Sequence, residues 1–165
     1  MNWIVITLIF LAIIGSMMWM KPSPRQRMQA DLRQQAMRLG FQVQISRLTL
    51  PRALGEAFGE ERNCVAYRLP RLAREQGKPP EWQVFRLESH ANVGLPEGWS
   101  WAKGEGYQSD QELARIADLI GSLPETVYGI ESTPVSVSIY WDELGTLETI
   151  EQLKLQMDQL LTPSN

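Results

Sequence analysis

Cys64 and His90 are the single cysteine and single histidine of this 165-residue chain. A zinc site made from such ligands needs about four donors, so these two cannot build one. One thiol also rules out an intrachain disulfide. Cys64 lies within CVAYRL, where a small buried hydrophobe is the usual role of cysteine. His90 lies in ESHA, with no neighbouring pattern that marks a general base. The acidic residues Glu60–Glu61 and Asp142–Glu143 are adjacent pairs. Successive side chains of an extended chain point to opposite faces, so neither pair converges on one atom. An enzymatic alternative would assemble Glu125, Glu131, Asp142, Glu143 and His90 from distant segments into a deep pocket. Gly94, Gly98, Gly104 and Gly106 do not open a helix, so they form no phosphate cradle. These residues predict a protein that is not an enzyme and carries no cofactor and no metal.

The charge is unevenly distributed. Residues 1–80 hold 12 Lys and Arg against 5 Asp and Glu, whereas residues 81–165 hold 4 against 14. The acidic second half and the lack of a recognition motif argue against nucleic acid as a partner. A basic segment near an anionic surface fits better.

Residues 1–20 carry no charged side chain and run apolar from Trp3 to Met20. About 20 such residues match the hydrocarbon thickness of a bilayer, so the segment reads as a single transmembrane anchor. A cleavable signal peptide is disfavoured by Ile14 at the position that needs a small residue before a cut after Ser16. Lys21, Arg25, Arg27, Arg33 and Arg38 follow the segment, and no Lys or Arg precedes it. The positive-inside rule then places the N-terminus outside and the domain in the cytoplasm. The same five residues are candidate contacts for anionic lipid.

Beyond the anchor, residues 21–27 form a basic juxtamembrane segment and 28–162 one α+β domain. Pro24 opens a helix through Leu39, with Met28, Leu32, Ala36 and Leu39 on one stripe and Gly40 as its stop. Alternation predicts strands from Phe41 to Leu50, Cys64 to Leu69, Trp82 to Glu88 and Val135 to Trp141. The second and third of these are expected to pair. Ser109 and Glu112 spell a capping box for a helix that Gly121 ends. Thr146 caps a last helix with its stripe on Leu147, Ile150, Leu153, Met157, Leu160 and Leu161. The fold class is therefore α+β: a transmembrane helix, then a small two-layer domain with a mainly antiparallel sheet and two or three amphipathic helices. The glycine-rich stretch 89–108 places Trp99 and Trp101 two residues apart. They are candidate partner contacts, with packing against the core as the competing reading.

Lys21, Pro22, Pro24, Arg25 and Arg27, followed by Met28, Leu32, Leu39 and Val43, resemble the opening of the YajC accessory subunit of the bacterial preprotein translocase. The similarity covers residues 1–45. LGFQVQISRL lacks the Gly-Asp and paired-glycine turns of that family's strand region. The resemblance implies an accessory protein of a bacterial inner membrane, its N-terminus in the periplasm, with a membrane-protein partner. Together with the missing catalytic groups, it gives the expected function: a membrane-tethered scaffold, adaptor or accessory subunit.

Overall fold

The computed structural model describes residues 2–19, 22–56, 58–71 and 81–161, with the side chains of 17–19 left out. It divides into two units, residues 1–31 and 32–165.

The first unit contains α1, Asn2–Trp19. The transmembrane reading of residues 1–20 is not upheld. Among the described residues no helix is long and apolar enough to cross a membrane. The single-pass anchor, the periplasmic N-terminus and the inner-membrane location fall with it. Helix α2, Pro24–Arg38, starts at Pro24 as expected. Ser23 and Gln26 cap it reciprocally: the Gln26 amide donates to Ser23 Oγ at 3.2 Å and the Ser23 amide to Gln26 Oε1 at 2.8 Å.

The end of α2 belongs to the second unit and follows the glycine signal. Gly40 takes φ 92°. The Phe41 amide reaches back to the Ala36 carbonyl, and that of Gly40 to Met37. This pattern closes a helix with a left-handed residue and turns the chain directly into β1.

Six strands follow: β1 Gln42–Thr49, β2 Glu61–Pro70, β3 Trp82–Phe85, β4 Ser100–Lys103, β5 Val127–Ser132 and β6 Ser136–Trp141. They form one sheet in the order β1-β2-β6-β5-β3-β4, antiparallel at every contact. The expected pairing of the second and third strands is wrong, because the β5–β6 hairpin lies between them. Sequence periodicity missed β5, since VYGIES is covered on both faces and does not alternate. It also left β4 unassigned.

One face of the sheet carries the main core. Tyr67, Val84, Ile130, Ile139 and Trp141 meet Leu32 and Ala36 of α2 there. They also meet Ile116, Leu119 and Ile120 of α3 (Asp110–Ser122) and Ile150, Leu153 and Met157 of α4 (Leu147–Leu161). The Ser109–Glu112 capping box is present. Gly121 is not the stop, because the helix continues to Ser122 before Leu123 turns extended. The opposite face buries a smaller cluster with no helical member: Cys64, Ala66, Phe85, Tyr128 and Tyr140.

Gly129 is required where these rings crowd. A Cβ there would stand 2.5 Å from the Phe85 ring, which stacks on Tyr140 at 6.0 Å between centroids. Gly129→Ala should therefore lower the unfolding free energy by about 2 kcal/mol through overpacking, measured by chemical denaturation. Gly121→Ala, with open space around its Cβ position, serves as the comparison that should show no such loss.

Candidate functional site

Glu143 is the centre of the polar structure in the domain. It follows β6 with φ 54° and is 6 % exposed. Arg33 of α2 grips both carboxylate oxygens, Nε to Oε1 and Nη2 to Oε2, each at 2.6 Å. The Tyr67 hydroxyl donates to Oε1 at 2.8 Å. A two-pronged guanidinium on a shielded carboxylate is among the stronger side-chain contacts. It joins three segments that are remote in sequence. Both carboxylate oxygens are engaged, Oε1 by Arg33 and Tyr67 and Oε2 by Arg33. Trp141 packs edge-on to Tyr67 at 5.4 Å, and its indole N–H is buried without an acceptor among the described residues.

The other residues of the enzymatic alternative do not converge. Glu131 accepts the Tyr140 hydroxyl at 2.8 Å. Asp142 accepts from Arg62 at 3.0 Å. Glu125 and His90 are exposed. A cleft beside the smaller cluster is lined by Leu50, Glu56, Glu60, Arg62, Arg86 and Tyr128, among others, and by none of those five residues. Its cations are engaged. Arg62 lies 4.3 Å from the Tyr128 ring centre, and Arg86 donates to the Val127 carbonyl at 3.1 Å. Among the described residues no group of three His, Cys, Asp or Glu could hold a metal ion. Cys64 is buried, its thiol directed to the Ser46 carbonyl at 3.3 Å. Burial pushes its pKa up, away from the thiolate that nucleophilic chemistry needs.

Trp99 and Trp101, the candidate partner contacts, are each 3 % exposed and belong to the main core. Trp101 meets Trp82 edge-on and donates its indole N–H to the Val93 carbonyl at 2.9 Å. Arg86 covers the Trp99 ring at 4.8 Å. The glycine-rich stretch therefore closes over the sheet and does not present these rings to a partner.

The five basic candidates separate. Lys21 lies outside the described residues. Arg25, Arg27 and Arg38 are exposed. Arg33 is committed to Glu143, a structural role. Sequence reasoning missed this role, and a pairing across 110 residues leaves no local signal.

The largest unaccounted surface is α1. Trp3, Ile4, Leu8, Phe10 and Leu11 are 62–82 % exposed, and Val5, Ile6, Ile9, Ile13 and Ile14 are 47–57 % exposed. Water does not favour a continuous apolar surface of this kind, and such surfaces mark interaction sites. No protein-family model matches the chain, and no curated protein or solved structure is significantly similar to it.

Two outcomes follow from this geometry. Glu143→Ala should cost about 2 kcal/mol, because Tyr67 loses its acceptor while Arg33, partly exposed, can turn to water; Glu143→Gln should cost about half as much. Urea denaturation checks both. Separately, burial is the largest influence raising the phenols of Tyr67, Tyr128 and Tyr140 above their ordinary value of 10.0. Their folded pKa values exceed the unfolded ones, so the stability they contribute is intact below about pH 10 and is lost as pH rises above it. Ultraviolet titration should show these three tyrosinates appearing together with global unfolding, not before it.

Proposed function

We propose that this protein is a non-enzymatic scaffold or accessory subunit whose N-terminal helix docks on an apolar surface of a larger protein complex, presenting the α+β domain beside it. The observation that carries this reading is the largely apolar surface of α1, where every described side chain from Asn2 to Ser16 is exposed. Burying a single Leu or Ile of this surface contributes about 1.5–3 kcal/mol. A few well-placed contacts would therefore suffice for stable docking. The occupied carboxylates, the buried thiol and the engaged cations of the domain support a binding role over a chemical one.

Full-length protein bearing a C-terminal affinity tag should retain one partner in near-stoichiometric yield, and Leu8→Glu with Leu11→Glu should lose it at least tenfold. Circular dichroism should report an unchanged domain. Equal retention by the double variant would overturn the reading. So would full-length protein sedimenting with protein-free phosphatidylcholine–phosphatidylglycerol vesicles, since the occupant of α1 would then be lipid.

A further inference from the structure

The two edges of the sheet are treated differently. At the β4 edge, the outward Trp101 amide is already taken by the Ala91 carbonyl at 2.6 Å, so the glycine-rich stretch covers that margin. Strand β1 forms the other edge and is twice as long, at eight residues against four. Its ladder with β2 fixes which backbone groups face outward. Leu50 donates to Glu60 across the continuing register at 2.8 Å. Backbone groups of antiparallel pairs alternate inward and outward, so Val43, Ile45 and Arg47 turn their N–H and C=O groups away from β2. Among the described residues none of these groups has a backbone partner.

Edge strands are usually protected by an inward charge, a proline or a bulge. Strand β1 has none of these. Its ladder with β2 runs in unbroken register from Gln42 to Thr49. Its one charged residue, Arg47, is paired with its own Glu61. Ile45, at its middle, is 78 % exposed.

We infer that β1 pairs antiparallel with β1 of a second copy of this chain, about a two-fold axis at Ile45, joining two sheets into one. The sequence of the strand fits itself in that register. Ile45 meets Ile45 of the second copy, so each covers the apolar side chain that the other leaves exposed. Val43 meets Arg47, and Gln44 meets Ser46, so no like charges are opposed. The outward groups of Val43, Ile45 and Arg47 are those that would form the new ladder, about six hydrogen bonds around the axis. A sheet edge buries less than a standard interface, so the dimer is expected to depend on concentration. The inference rests on β1 alone and is independent of the role given to α1.

The test uses full-length protein in dodecyl maltoside, so that association through α1 is suppressed. Ile45→Cys should cross-link to itself under mild oxidation. Thr49→Cys, eight residues from its own counterpart in this register, should not. By analytical ultracentrifugation, Ile45→Lys and Ile45→Glu should each weaken dimerisation at least tenfold, while an equimolar mixture restores it. Both variants alter an exposed side chain, and circular dichroism should confirm that each remains folded. A wild type that stays monomeric at about 100 µM, well above the concentrations at which specific dimers form, would overturn the inference. So would equal cross-linking at 45 and 49, or no restoration in the mixture. Loss of the α1 partner without these changes would bear on the proposed function instead.

Discussion

The pairing of β2 with β6 is the constraint on which the rest of the domain depends. It joins Val65 to Trp141 and Tyr67 to Ile139 across a long stretch of chain. Long-range pairing of this kind is entropically expensive until the contacts around it form. Here the compensation is local to the pair. Tyr67 and Trp141 contact edge to face, Phe41 meets Tyr67 in the same way at 5.9 Å, and α2 and α4 cover this side of the sheet. Once β2 and β6 are side by side, Glu143 emerges next to the Tyr67 hydroxyl and within reach of Arg33. The ion pair follows from the sheet and then fastens α2 to it.

The same pairing accounts for part of the charge asymmetry along the chain. Arg33 and Arg62, from the basic first half, find Glu143 and Asp142 in the acidic second half. The uneven distribution is therefore partly internal complementarity between strands and helices that come from opposite ends of the sequence. Only the Glu143 pair is shielded. Arg62 and Asp142 are each about two-fifths exposed, a setting in which an ion pair contributes about 0–1 kcal/mol. Their role is better placed in position than in stability: Arg62 lies over the Tyr128 ring, beside the smaller cluster.

Helix-free coverage on one face gives the sheet two different chemistries. On the helix side, large apolar residues interdigitate. On the other side, small residues and stacked rings close the surface, and this explains why Gly129 lies where Phe85 and Tyr140 nearly touch. The order of strands also decides which margins stay open. The hairpin of β5 and β6 takes the centre, β4 is covered by its own preceding loop, and β1 is left as the unguarded edge.

Elements with local causes can be read from the order of residues alone. The capping box at Ser109, the left-handed stop at Gly40, and the alternation of β1 and β6 depend on residues within a few positions of one another, so spacing alone reveals them. The stripe of α4 was legible for the same reason, although Leu147 remains exposed. Tertiary structure alone decided the rest. Strand β5, VYGIES, carries no regular apolar–polar alternation that would mark it. The insertion of β5 and β6 between β2 and β3 depends on contacts across the whole domain. The fates of Trp99, Trp101 and Arg33 turned on partners that adjacent residues do not specify. An indole between glycines can face water or a core, and an arginine on a helix can face solvent or a carboxylate 110 residues away. Burial decides between those outcomes, and burial is a property of the assembled sheet.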